Sequence, residues 1–160
     1  MEECIKHLVE ESTDEVFCGE IYIIYERLDD LYWLPWDGDG KTNRAFKHWI
    51  LVVSIGFDSY KIEYREDKYV SKQGVVLVSE YNPDVESAKR YLLSKISIDA
   101  KTFFKELLTL FSDWNYYSIK RQNCQHFVHG FLEKLKYCIV DRTRHLRRLQ
   151  NAGNKMVTMK

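Results

Sequence analysis

The chain has 160 residues, and its 24 basic and 24 acidic side chains give a formal net charge of zero at pH 7. This length suits one domain with a substantial core, and 14% aromatic residues with only two prolines argue against disorder. No apolar run approaches the roughly 20 residues that span a bilayer, and no signal peptide is recognisable, so we predict no transmembrane segment. The four cysteines form no Cys-x-x-Cys pair, which predicts reduced thiols in the cytoplasm, no structural zinc site and no other cofactor.

The first forty residues predict a helix, a strand and a loop. The acidic stretch 2–11 has its apolar residues on one side and predicts a short helix, and residues 16–25 predict a strand. A loop follows over 27–43, with Trp33 and Trp36 beside a Gly-Asp-Gly turn. These two indoles form either an aromatic lip over a substrate site or the interior of a packed surface loop.

An antiparallel meander is predicted over three further stretches, 48–55, 60–65 and 75–80. The first is nearly continuous in apolar and β-branched residues after His48, which predicts a strand buried on both faces. Alternation along the second places Glu63 and Tyr64 on opposite faces of the sheet, so at most one of them can reach His48.

Two helices are expected after the meander. The first begins at Pro83, because proline suits the first helical position. Its apolar side consists of Val85, Ala88, Leu92 and Leu93. The second covers about 99–111, and its inward side consists of Phe103, Leu107, Leu110 and Phe111. Such stripes are more typical of a core than of a ligand site.

The most informative stretch, 117–135, reads YSIKRQNCQHFVHGFLEKL. Asn123 is a strong helix N-cap, because its side-chain oxygen accepts hydrogen bonds from the first free backbone N–H groups. Cys124 then heads the apolar stripe of the helix that follows. A helix N-terminus stabilises the thiolate, which is the nucleophilic form of the side chain. The competing interpretation is a small buried hydrophobic residue.

A metal site is the alternative use of this helix. His126 and His129 are three residues apart and share a helical face, but Cys124 then faces elsewhere. We therefore predict no three-ligand zinc site within the helix. A metal assembled with His48 stays open.

Two segments together resemble a known enzyme family: HWILVV, which begins at His48, and YSIKRQNCQHFV, which begins at Tyr117. They are similar to the lecithin:retinol acyltransferase-like (LRAT-like) family of circularly permuted NlpC-type, papain-like thiol enzymes. That family carries a His-Trp box that opens a strand and an Asn-Cys-(Glu or Gln)-His-Phe box that opens a helix. Residues 123–128 match the second box, and the resemblance covers residues 46–136.

The resemblance implies that Cys124 is the nucleophile and His48 the general base. The third residue of the family is a second His on the strand after the first, and this chain has no His there. A base needs a partner that fixes its tautomer, and a carboxylate also stabilises the imidazolium, so we predict Glu63 in this role. Tyr64 and Tyr60 are the alternatives.

The implied fold is a permuted papain-like α+β fold, formed by residues 1–140 as a single domain. An antiparallel sheet packs against helices, and the nucleophile lies at a helix N-terminus. The backbone N–H of Cys124 and the side chain of Gln125 would hold the oxyanion of an acyl-transfer reaction, with Asn123 supporting the motif. The resemblance implies that His126 has a structural role and is not the base.

The same resemblance makes an acyl-lipid or phospholipid the first expected substrate, so the protein would be a thiol acyltransferase or hydrolase. A cysteine peptidase or isopeptidase acting on a peptide is the second interpretation, because the wider permuted group includes peptidases. A binding module that keeps the fold without catalysis is the third, because the second His of the family is missing.

The segment 141–160 is predicted to be a basic C-terminal tail, and its basic residues are Arg142, Arg144, Arg147, Arg148, Lys155 and Lys160. A basic, weakly amphipathic tail either contacts an anionic membrane at its surface or forms a solvated helix beside the acidic N-terminal residues. It contains no interleaved aromatic residues, so we predict no nucleic-acid partner.

Overall fold

The computed structural model of the protein describes residues 2–12, 14–27, 47–82, 90–118 and 121–158, and its architecture is α+β. Within these ranges the strands are β1 (Val16–Arg27), β2 (Lys47–Ile55), β3 (Asp58–Glu66), β4 (Gly74–Glu80) and β5 (Arg90–Asp99). The helices are α1 (Glu2–Glu11), α2 (Ala100–Asp113), α3 (Cys124–Lys134) and α4 (Arg142–Thr158), with a short 3₁₀ helix at Lys136–Cys138. The strands form one antiparallel sheet in the order β4-β3-β2-β1-β5.

Strand β2 lies at the centre of the sheet, as its continuous apolar sequence predicts. Successive residues Leu51, Val52 and Val53 are all fully buried, so both faces of the strand are covered. Leu51 and Val53 belong to the main core with α2 and α3, whereas Val52 packs with Tyr81 in a smaller cluster on the other face.

The helix predicted to begin at Pro83 is wrong for the residues from 90 onward, which form a strand. Leu92 and Leu93 lie in β5, which pairs with β1, and residues 83–89 lie outside the described residues. Ile21 pairs with Ser94 and Tyr22 with Leu92, so Leu93 is the extra residue of a β-bulge. The apolar spacing that suggested a helix arises because the bulge interrupts the alternation of the strand.

The helices pack mainly on one side of the sheet. Helix α2 begins where predicted, with Asp99 as its N-cap, and it carries α1 on its surface. Helix α4 packs against β5 and buries Leu149 and Ala152, so the predicted basic tail is a helix that contributes to the core. Within the described part of the chain, no helix combines the length and the apolar character needed to cross a membrane.

Single bridges continue the pairing at both ends of the strand order. Gln73, next to β4, forms a bridge with Tyr116, and Ile96 of β5 forms one with Ile139. The backbone N–H of Val140 donates to the carbonyl of Lys95 at 3.0 Å, which extends the second bridge. The connection between α3 and α4 is therefore fixed along the outer edge of β5.

Candidate active site

His48 and Glu63 meet across two neighbouring strands. Glu63 of β3 pairs with Ile50 of β2, and His48 lies two residues before Ile50, so alternation places all three on one face. The Nε2 atom of His48 is 2.8 Å from Oε1 of Glu63, and only 2% of His48 is exposed. A carboxylate in this position fixes the orientation and tautomer of the imidazole.

Helix α3 begins at Cys124 because of a reciprocal capping box. The side chain of Asn123 accepts hydrogen bonds from the backbone N–H groups of Gln125 and His126, at 2.9 and 3.1 Å. In return, the backbone N–H of Asn123 donates to Nδ1 of His126 at 3.0 Å. The two side chains hold the first turn of α3 together, so His126 contributes to the helix cap. The resemblance likewise implies a structural role for this histidine.

The thiol of Cys124 is fully buried against the beginning of β2. The backbone N–H of Trp49 donates to its Sγ atom at 3.5 Å. Cys124 is also the first residue of α3, where the positive end of the helix dipole lies. Both features stabilise negative charge on the sulfur.

The imidazole of His48 lies between the thiol and the carboxylate. Burial lowers the pKa of His48, but hydrogen bonds to Cys124 and Glu63, together with their negative charges, outweigh burial and raise it from 6.5 to about 9. Burial raises the pKa of Glu63, but its hydrogen bond to His48 and the positive charges nearby hold it below the usual range. The geometry therefore favours an imidazolium beside the Glu63 carboxylate near neutral pH.

The two tyrosines considered as alternatives to Glu63 point elsewhere. Tyr64 lies on the opposite face of β3, where its ring contacts Trp114 and Phe127 and its hydroxyl donates to the carbonyl of Tyr116. Tyr60 packs against the phenylalanines at the start of α2. Glu63 is thus the one of the three that contacts His48, while its catalytic role stays a prediction.

Tyr117 also belongs to the site, although the sequence analysis assigned it no role. Burial and the charge of Cys124 raise the pKa of its hydroxyl, and a hydrogen bond from the backbone N–H of Cys124 acts in the opposite direction. Backbone hydrogen bonds between Ser118 and Gln122 turn the chain back, which brings Tyr117 beside Cys124. The one signal in the sequence was the position of this tyrosine ahead of the Asn-Cys box.

The remaining predicted residues stand apart from this contact. Gln125 is half-buried and uses its backbone N–H in the helix cap. Trp33 and Trp36, the predicted aromatic lip, lie outside the described residues.

His129 was considered as a metal ligand together with His126. Its ring stacks on the indole of Trp49 with ring centroids 5.9 Å apart. Among the residues that the structure describes, no three His, Cys, Asp or Glu side chains are grouped as metal ligands.

Comparison with known proteins returns no match to any family model, curated protein or solved structure. The chemical interpretation of the site therefore depends on its geometry and on the two sequence boxes.

Proposed function

We propose that the protein is a thiol acyltransferase or hydrolase of the LRAT-like, permuted papain-like kind. Cys124 is the nucleophile, His48 the general base and Glu63 the residue that orients His48. The observation that supports this best is the buried contact between the three side chains, with Glu63 held 2.8 Å from His48. The three side chains come from the start of α3 and from strands β2 and β3. A buried group of ionisable side chains of this kind is more typical of a functional site than of a core.

The proposed reaction begins from the thiolate–imidazolium pair. Because Nε2 of His48 bonds Glu63, Nδ1 is the nitrogen left to exchange a proton with the thiol. The Sγ atom of Cys124 attacks the acyl carbonyl carbon, and the electron pair of the C=O bond moves to oxygen. When the oxyanion collapses, the bond to the leaving group breaks and His48 protonates that group, which leaves a thioester on Cys124.

The second half of the reaction returns the enzyme to its starting state. His48, now neutral, takes a proton from water, an alcohol or an amine as this acceptor attacks the thioester carbonyl. Sγ leaves as the thiolate, and the acyl group departs as an acid, an ester or an amide. Water as acceptor makes the protein a hydrolase, and an alcohol or amine makes it an acyltransferase.

The oxyanion is held by groups at the start of α3. The backbone N–H of Cys124 contacts the hydroxyl of Tyr117, so a carbonyl oxygen that enters this position meets two donors. We therefore propose Tyr117, in addition to Gln125, as a residue that binds the oxyanion. Removing one donor of this kind typically slows the chemical step about a hundredfold or more.

An acyl-lipid is the first proposed substrate, on the strength of the family resemblance, and a peptide is the second. We further propose that α4 contacts an anionic membrane surface, because Arg142, Arg144 and Arg147 are all exposed on it. Exposed apolar residues Tyr137 and Val140 lie just before this helix. The cytoplasm is the proposed location, since Cys4 and Cys18 are exposed free thiols.

A catalytically silent binding module is the second candidate function. The full burial of Cys124 and the 2% exposure of His48 favour it, because a substrate carbonyl must displace covering groups to reach the sulfur. In this case the Asn123 cap and the His48 contact serve stability alone.

The pH dependence of alkylation at Cys124, followed by peptide mass spectrometry, distinguishes the two functions. An active pair gives an apparent pKa well below the ordinary thiol value of about 8.5, and His48→Ala abolishes this property. Exposed Cys4 and Cys18 serve as internal controls for ordinary thiols. If Cys124 reacts no faster than these two and is indifferent to His48→Ala, the enzyme proposal is wrong.

A further inference from the structure

Helix α4 packs on the rest of the protein through one stripe of side chains. His145, Leu149 and Ala152 recur at spacings of four and three residues, so they lie on the same face of the helix. All three are buried, and Leu149 and Ala152 belong to the main core. Arg144 and Arg147 are exposed. The stripe is therefore the face that holds α4 in place, with β5 as its main neighbour.

The imidazole of His145 is the polar member of this stripe. Only 4% of the residue is exposed, and its Nδ1 atom is shielded from solvent without a hydrogen-bond partner among the described residues. A neutral imidazole leaves one unsatisfied nitrogen at this position. An imidazolium carries a charge and an N–H donor on both nitrogens, so its burial costs much more. The packed helix therefore favours the neutral ring.

The charges around His145 also oppose its protonation. Burial lowers the pKa of His145, and the charges of Arg142 on α4 and His129 on α3 lower it further. Burial raises the pKa of the Cys138 thiol, which therefore stays neutral. In the part of the chain that the structure describes, the other charged groups on the neighbouring elements are paired or are cations: Glu133 pairs with Lys136 at 3.0 Å, Asp141 accepts from the backbone N–H of Arg144 at 3.0 Å, Asp99 accepts from Thr102, and Arg90, Lys95, Arg147 and Arg148 are cations.

We propose that α4 responds to acid: protonation of His145 detaches the helix from β5 and α3 and uncovers Leu149 and Ala152. In the packed state the imidazolium lacks a partner and lies near Arg142, whereas in the detached state water solvates both cations. The proton therefore binds the detached state more tightly and shifts the population toward it. The rest of the fold persists, because the main core is otherwise formed mostly by the sheet and the first three helices.

The packing of α4 should be insensitive to pH above 6.5 and should weaken below it. The ordinary pKa of 6.5 applies to His145 in the detached state, and the pKa is lower in the packed state, so above pH 6.5 the ring is neutral in both. Below pH 6.5 the detached state takes up the proton first, and its population rises by up to about tenfold per pH unit. The contributions of His48 and Glu63 change above pH 6.5 and below pH 4.5, outside this window.

Hydrogen–deuterium exchange of the 160-residue chain at pH 7.5 and 5.5, followed by mass spectrometry and corrected for intrinsic exchange rates, tests this proposal. Protection factors of peptides from α4 should fall by up to about tenfold between the two conditions, whereas those from α2 should not fall. His145→Leu keeps the stripe apolar and removes the titrating group, so protection of its α4 should not depend on pH. His129→Gln is the matched control and should keep the response, because it leaves His145 in place.

Four results would overturn the proposal: α4 protection that does not change with pH, an equal change in His145→Leu, loss of the response in His129→Gln, or a parallel fall in α2 that indicates global unfolding. If His145→Leu does not fold, NMR titration of the His145 imidazole in the unaltered protein replaces it, and a pKa of 6.5 or above would contradict the proposal. None of these results depends on whether Cys124 is catalytic.

Discussion

The side chains of His48 and Glu63 meet at 2.8 Å along a diagonal of the sheet, because the direct partner of Glu63 on β2 is Ile50. His48 lies at the start of β2 and Glu63 near the end of β3, and the start of α3 contacts the same end of β2. The Cys124 thiol accepts a hydrogen bond there from the backbone N–H of Trp49. A carboxylate, an imidazole and a thiol therefore occupy one end of the sheet.

Removal of the charge at Glu63 should lower the pKa of His48. Glu63→Gln keeps a hydrogen-bonding group of the same size but loses the negative charge, so the His48 pKa should fall from about 9 toward 6.5. Alkylation of Cys124 at pH 7 should then slow about tenfold, because less thiolate–imidazolium pair remains. Glu80→Gln, at an exposed position of β4, is the control. An unchanged His48 titration, measured by NMR, would exclude the proposed role of Glu63.

Stability should fall in alkaline solution through His48. Its pKa is higher in the folded state, so its contribution is complete below pH 6.5 and is lost as the pH rises through about 9. The loss should be no more than about 3 kcal/mol. The pKa of Glu63 is lowered instead, so its contribution is present above pH 4.5 and disappears at more acid pH. Urea unfolding at pH 6, 7.5 and 9 measures the first effect, and a His48→Gln variant with the same slope would contradict it.

Loss of the α3 cap should affect both stability and reactivity. Asn123→Ala removes two hydrogen bonds to backbone N–H groups and should cost about 1 kcal/mol of unfolding free energy. Asp99→Ala removes a comparable cap from α2, where Asp99 accepts from Thr102 at 2.8 Å. Both variants should lose similar stability, but only Asn123→Ala should slow alkylation of Cys124. Equal alkylation rates in the two variants would show that the cap does not position the thiol.

Gly19 should tolerate no side chain. A Cβ atom at this position of β1 would overlap the backbone carbonyl oxygen of Ser54 on β2, and neither backbone can move without breaking the sheet. Gly19→Ala should therefore cost more than about 2 kcal/mol, as overpacking of a core typically does. Cys18→Ala, at the exposed neighbouring position, should change stability by less than about 0.5 kcal/mol. Thermal unfolding of both variants is the measurement, and equal midpoints would refute the close approach.

Binding to anionic vesicles should depend on α4. The double variant Arg144→Gln with Arg147→Gln removes two exposed charges, each worth about 1 kcal/mol near an anionic surface. Co-sedimentation should therefore weaken roughly thirtyfold. The control is Lys68→Gln with Lys105→Gln, which changes the net charge equally at exposed positions outside α4. Equal losses in both double variants would indicate a general charge effect and not a surface on α4.

The parts of the fold that were predicted correctly have strong local signals. The apolar run of β2 identifies a central strand, and the side chain of Asn123 identifies the start of α3. Alternation along β3 separates Glu63 from Tyr64, and the preference of an imidazole for a carboxylate selects Glu63, which is the one that contacts His48. Each of these inferences needs only residues that are neighbours in sequence.

The features that were missed depend on distant contacts. Strand β5 was taken for a helix, because the bulge at Leu93 disturbs the alternation and only pairing with β1 reveals the strand. The approach of Tyr117 to Cys124 follows from a chain reversal that has no glycine or proline signal.

The bridge between Ile96 and Ile139 has a consequence for the behaviour of the protein in concentrated solution. Strand β5 is the last of the sheet, and the unpaired N–H and C=O groups of an outer strand are a template for pairing with another molecule. Residues 139–140 lie along that edge and pair with part of it, so they reduce self-association through β5. Val140→Pro, which removes the backbone N–H that donates to the carbonyl of Lys95, should favour pairing of two molecules through β5, while the contact between His48 and Glu63, on the far side of β1, survives.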